Sequence, residues 1–217
     1  MMTSLFSTFD PSTSNLQLNW IMMLSSLIIL PMNFWMKKSR WNLTKKILEN
    51  KIVSEFSNLT HHKEMLILSF SIFLFIMINN MLGLFPYNFT STSQISLNLA
   101  IAIPSWVMLM IYGWLNFTNS MFIHLLPTGT PSPIMPMMII IEILGSIIRP
   151  ISLSVRLTAN MIAGHLLMTL LGDLNLVTIM PMILPIQMTL TTFETAISII
   201  QAYVFATLIT LYSSEIP

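Results

Sequence analysis

The residues of this chain with most chemistry to offer stand where it is otherwise most apolar. Arg156 lies near the middle of a long apolar run, Ile134 to Leu171, in the stretch Ser154-Val155-Arg156-Leu157-Thr158-Ala159-Asn160. An arginine at mid-membrane costs about 2.5–3.5 kcal/mol on insertion scales, so such a residue marks a functional site by default. Glu142, Arg149 and Arg156 follow one another at intervals of seven, which in a helix puts them on one face within about 40°. Asn160 extends that face by a turn. His165, nine residues after Arg156, turns to roughly the opposite side, about 13 Å further along. In the final apolar run Gln187, Thr191, Glu194, Ser198 and Gln201 follow 4-3-4-3 spacing, a single polar seam on an apolar helix. Against lipid that seam is unfavourable, so it is expected to face protein or a water-filled cavity.

These types suit proton handling. Histidine and glutamate relay protons because burial and neighbouring charge tune them. Arginine does the reverse: its guanidinium stays protonated, repels cations and holds carboxylates. Relay groups on either side of a fixed positive charge describe two partial proton paths separated by a barrier, with some other component carrying the proton past it. Plainer assignments remain open on the residues alone. Arg156 and Glu194 can form a structural ion pair, His165 can be a hydrogen-bonded core histidine, and Glu142 can sit at a helix end near the interface. Arg149, Asp173 and Glu215 read as interfacial or loop residues.

The elements that must position these groups follow from composition. The chain has 217 residues, 54% hydrophobic and 8% charged, with a mean hydropathy of +0.78; a soluble domain carries about 25% charged residues. That balance excludes a water-soluble domain and a disordered one. A net charge of +1 with few basic residues argues against nucleic acid as a partner. The absence of cysteine removes disulfides, thiolate metal sites and cysteine nucleophiles, and no phosphate-binding G-x-x-x-x-G-K-[ST] run occurs. No cofactor or metal is expected. The first fourteen residues carry one charge, Asp10, and no basic segment of the kind that opens a secretory leader.

A membrane-crossing helix needs about 20 apolar residues. Leu16 to Trp35 is the first such run, Met65 to Leu84 the second, and Ile95 to Leu115 the third, with Pro104 as a place to kink. Arg40 to Leu59 is mixed, with Trp41, Leu48, Ile52, Phe56 and Leu59 near one face, which suits a helix lying on the membrane surface; a solvated loop helix is the alternative. Asn116 to Pro133 reads as a loop. Ile134 to Leu171 and Leu176 to Tyr212 are each about 55 Å long as helices, nearly twice the hydrocarbon thickness, so they are expected to incline steeply. If they run antiparallel about the turn Gly172-Asp173-Leu174-Asn175, Arg156 falls nearest Thr191, with Glu194 and Gln201 within three turns. The expected architecture is an all-α polytopic membrane protein forming a single domain over 1–217. It comprises a first crossing helix at 16–35, an interfacial amphipathic helix at 40–60, a transmembrane hairpin at 65–115 and a long tilted hairpin at 134–214, about five crossings in all. Seven of the nine basic residues lie between Lys37 and Lys63, so that connection faces the cytoplasm or its organellar equivalent, the N-terminus lies outside and the C-terminus inside.

The run Arg156-Leu157-Thr158-Ala159-Asn160-Met161-Ile162-Ala163-Gly164-His165-Leu166-Leu167 strongly resembles the signature of the ATP synthase subunit a family, the mitochondrial F0 subunit 6. Gln201-Ala202-Tyr203-Val204-Phe205 is similar to that family's last-helix motif, and Asn80-Met81-Leu82-Gly83-Leu84-Phe85-Pro86 and Leu126-Pro127-Thr128-Gly129-Thr130-Pro131 are supporting matches. The likeness covers roughly Lys63 to the C-terminus. It implies a stator subunit packed against a ring of c subunits, with other F0 stator and peripheral-stalk subunits and membrane lipid as further partners, in the mitochondrial inner membrane. By that matching Arg156 is the arginine facing the ring's proton-carrying carboxylate, His165 and Glu194 line a half-channel from the intermembrane space, and Glu142 belongs to the half-channel to the matrix. Asn160 and Gln201 match polar groups near the arginine, and Arg149, neutral in some relatives, is left without a role. The chain itself would then be no enzyme but the proton-channel subunit of a larger one. Outside the resemblance, a secondary transporter and a purely structural membrane subunit are the competing classes; the first would carry paired repeats and broken helices at mid-membrane, neither of which is evident.

Overall fold

The computed structural model describes residues 9–12, 18–29, 39–60, 63–85, 88–126, 129, 131–173 and 180–214, and these are all-α. Seven helices follow in order: α1 (Ile21–Ile29), α2 (Arg40–Leu59), α3 (Lys63–Gly83), α4 (Ile95–Asn116), α5 (Thr118–His124), α6 (Met135–Asp173) and α7 (Met180–Ser214). Among the described residues four are long and apolar enough to cross a membrane, namely α3, α4, α6 and α7. The first expected crossing is described only as a 3₁₀ turn at Leu18–Trp20 and α1; its flanks at 16–17 and 30–35 lie outside the described residues.

The core sits where α3 and α7 pack together. Phe73 and Ile76 of α3 are buried against Ala202, Phe205, Ala206 and Ile209 of α7. The two alanines let the backbones approach, the usual device of helix contacts in lipid, where hydrophobic burial offers no gain and packing decides. Asn80 crosses the same seam, its Nδ2 donating to the Ser198 carbonyl at 3.3 Å. Leu153 and Leu157 of α6 are buried with Ala102 and Leu109 of α4.

Between α3 and α4 the chain folds into a buried polar knot. Thr90 Oγ1 donates to Ser93 Oγ at 2.9 Å, and Asn98 Nδ2 donates to the Thr92 carbonyl at 2.8 Å. The knot packs on α6 and needs Gly83: a Cβ there would lie 3.1 Å from Thr90 Cγ2.

The surface helix starts as its sequence demands. Ser39 is the N-cap of α2, its Oγ accepting from the Asn42 N–H at 3.3 Å. Of the expected apolar face, Phe56 packs fully and Ile52 partly. Phe56 is fully buried between Phe73, edge-on at 6.1 Å, and Tyr203, stacked at 6.2 Å, whereas Leu48 and Leu59 of that face are exposed. One expectation is corrected. The loop at 116–133 contains a helix, α5, set off from α4 by the non-helical Phe117. The expected start of the last helix at Leu176 lies outside the described residues, which resume in α7 at Met180.

Candidate functional site

The long helices α6 and α7 bring His165 and Glu194 to one cavity of about 310 Å³, whose wall also holds Asn160 and Gly164. His165 Nε2 and Glu194 Oε1 are buried without a hydrogen-bond partner among the described residues. A buried polar atom left unpaired costs about 1–3 kcal/mol, and a cavity of this size has room for water to satisfy them. Gly164 makes the approach possible. A Cβ at this position would stand 2.9 Å from Glu194 Oε1 and 3.0 Å from its Cδ, so the carboxylate rests against bare backbone.

That contact also sets the register of the hairpin. The antiparallel count from a turn at Gly172–Asn175 opposes Gly164 to Ile183; the residue actually opposite is Glu194, roughly three turns further on. On the corrected count Arg156 falls level with Gln201 and Ala202 instead of Thr191. The polar seam of α7 does face protein: Gln187, Thr191, Glu194 and Gln201 are half-buried and Ser198 is buried, while Met188, Thr192, Phe193 and Ile200 beside them are exposed.

Arg156 points the other way. It is exposed on α6 together with Ser152, Val155, Ala159 and Ala163, while Leu153, Leu157 and Thr158 of the same helix are buried. Among the described residues neither Arg156 nor Glu194 takes part in an ion pair, so the structural Arg156–Glu194 pair is not formed. Glu142 lies apart from His165 and Glu194. It borders a larger cavity, about 1030 Å³, walled by α4, α5, α6 and the end of α7, with its Oε1 3.8 Å from Arg149 Nη2.

Two participants escaped sequence reasoning. Phe9, far from any motif, presents its ring edge-on to His165 at 6.3 Å and is tethered by Gln94, whose Nε2 donates to the Phe9 carbonyl at 2.8 Å. No periodicity or spacing links residue 9 to residue 165. Gly164 carried a signal, a glycine inside an apolar helical run, where it costs about 1 kcal/mol relative to alanine and needs a reason to be there.

Four membrane-length helices with ionisable groups on the walls of two cavities define a polytopic membrane protein. A family model for the ATP synthase A chain matches residues 16–214. Among similar proteins, "ATP synthase subunit a" of Anopheles quadrimaculatus is 49% identical over 225 residues, that of Locusta migratoria 49% over 225 and that of Drosophila mauritiana 47% over 226. In each case 100% of both chains is covered. The chain belongs to the ATP synthase A chain family.

Proposed function

We propose that this ATP synthase subunit is the proton-translocating stator of a mitochondrial F-type synthase, supplying two offset half-channels to and from the carboxylates of a c-subunit ring. Its partners are the other synthase subunits, the ring foremost, and membrane lipid. The insect relatives support the mitochondrial setting, as do the twenty methionines, which suit a gene in which an additional codon is read as Met. The basic connection before α3 faces the matrix, which puts the N-terminus toward the intermembrane space and the C-terminus toward the matrix.

The observation that carries the reading is the division of labour along α6. His165 Nε2 and Glu194 Oε1 are buried at a shared cavity without a hydrogen-bond partner among the described residues, whereas Arg156 is exposed and pairs with no carboxylate among them. An arginine kept in an apolar surface without an internal partner needs an external anion, and the ring's carboxylate is the one this reading supplies. A proton arriving from the intermembrane space passes Glu194 and His165 and neutralises a ring carboxylate. The neutral carboxyl then travels through lipid with the rotating ring and gives up its proton toward Glu142 on the matrix side. Arg156 remains protonated throughout, so it blocks direct passage between the half-channels and favours ionisation of the arriving carboxyl. Asn160, on the wall of the small cavity, and half-buried Gln201 supply polar contacts near the arginine. Each proton delivers about 2.3 kcal/mol per 100 mV of membrane potential, so several are needed per ATP, and a leak past Arg156 would uncouple the machine.

The test is Glu194→Gln in the assembled complex. ATP synthesis and ATP-driven pumping are expected to fall by an order of magnitude or more, since general acid–base roles contribute about 10²–10⁴-fold, with assembly retained. Wild-type synthesis in that variant would remove Glu194 from the path.

A further inference from the structure

Arg149 is the one basic residue of α6 to which the reading above gives no task, and its surroundings are specific. Its Nη2 stands 3.8 Å from Glu142 Oε1, two turns earlier on the same helix. Its guanidinium lies 5.0 Å from the centroid of the Tyr212 ring on α7, within cation–π range. All three groups border the cavity of about 1030 Å³. Arg149 is thus fastened at both ends: the flat guanidinium is held across the helix boundary by a ring of the last turn of α7, and its charge faces a carboxylate of α6. At 3.8 Å the contact is loose enough to leave lone pairs of Glu142 turned to the cavity, where a carboxylate has about four acceptor positions. An ion pair whose side chains keep 32% and 53% of their exposure contributes little to stability, so its effect on Glu142 is the better reason for it.

We propose that Arg149 is a positioning residue of the matrix-side path: pinned against Tyr212, it holds the Glu142 carboxylate in place at the cavity, ready to take the proton released by the ring. This rests on the reading that places Glu142 on that path. Tyr212 is the only other titratable side chain on this cavity wall among the described residues; α4 and α5 contribute apolar or aromatic groups such as Trp106, Trp114 and Phe122.

The experiment compares R149Q, R149K and E142Q in the reconstituted complex, reading assembly, the rate of ATP-driven proton pumping, and the dependence of that rate on pH at the matrix side and at the outer side separately. R149Q is expected to assemble, to pump about threefold to fivefold more slowly, as befits one partly exposed charge pair, and to displace the matrix-side pH profile while leaving the outer-side profile where it was. R149K, which keeps the cation, is expected to recover most of the rate. If R149Q pumps at the wild-type rate with an unmoved profile while E142Q is impaired, the positioning role is overturned and the half-channel reading stands. Wild-type pumping in E142Q overturns both. Should R149Q fail to assemble, Tyr212→Leu, which removes the ring that pins the guanidinium and leaves the charge, is expected to displace the same matrix-side profile; an unmoved profile there overturns the proposal.

Discussion

Replacing Gly164 with alanine adds one methyl group at the point where α6 meets the Glu194 carboxylate. The new Cβ would stand 2.9 Å from Oε1, 3.0 Å from Cδ and 3.2 Å from Cγ, where ordinary contacts lie at about 3.5–4.0 Å. The carboxylate must therefore withdraw by about half an ångström or more. Overpacking of this kind costs about 1–3 kcal/mol, but alanine raises helix propensity at an interior position by about 0.8–1.0 kcal/mol, and the crowded group is the end of a flexible side chain. Folding and assembly should survive. Proton transfer should not survive unharmed, because an ångström of misplacement at a reacting group costs about 10²-fold, and half of that about tenfold. ATP-driven pumping by reconstituted G164A complex is therefore expected near a tenth of the wild-type rate. The double variant G164A/E194D, with the carboxylate one methylene shorter, should regain part of it. Pumping within a factor of two of wild type in G164A would refute the argument that Glu194 works from a fixed place against Gly164.

Other perturbations follow from the same geometry. Phe9→Ala removes the ring packed edge-on to His165; aromatic contacts of this sort are worth about 0.5–1.5 kcal/mol, so ATP synthesis is expected to fall about threefold with assembly intact, and an unchanged rate would show that the N-terminal segment does not orient His165. Phe56→Ala empties a fully buried site between Phe73 and Tyr203 and should cost about 3–5 kcal/mol, read as a lower melting temperature and lower yield of the complex. Wild-type melting would mean that α2 is not held by that stack.

What the sequence made legible follows from how local each signal was. The span of α2, Arg40–Leu59, was legible because the mixed pattern of charged and apolar residues changes at both of its ends. The seam of α7 was legible from spacing alone, since a polar stripe on an apolar helix has only protein or water to face. That His165 and Glu194 meet was less accessible. Their contact depends on the register of two helices joined through a connection whose length no propensity rule fixes, and the antiparallel count missed by about three turns. Phe9 was illegible for a stronger reason: it is placed by one long-range hydrogen bond from Gln94, and an isolated phenylalanine in a short polar segment carries no period to read. The partners of Arg149 lie between these cases. Its interval of seven from Glu142 was visible in the sequence, but the Tyr212 ring that pins it comes from the far end of another helix.

The account stands or falls on Arg156 as a barrier that faces outward to a partner's carboxylate. The most direct measurement is passive proton flux through reconstituted complex carrying Arg156→Ala, taken alongside ATP synthesis and a check of assembly. The account predicts intact assembly, loss of synthesis, and passive flux equal to or above that of the wild type, with raised flux identifying the arginine as the seal. Normal coupled synthesis in the R156A complex would contradict it.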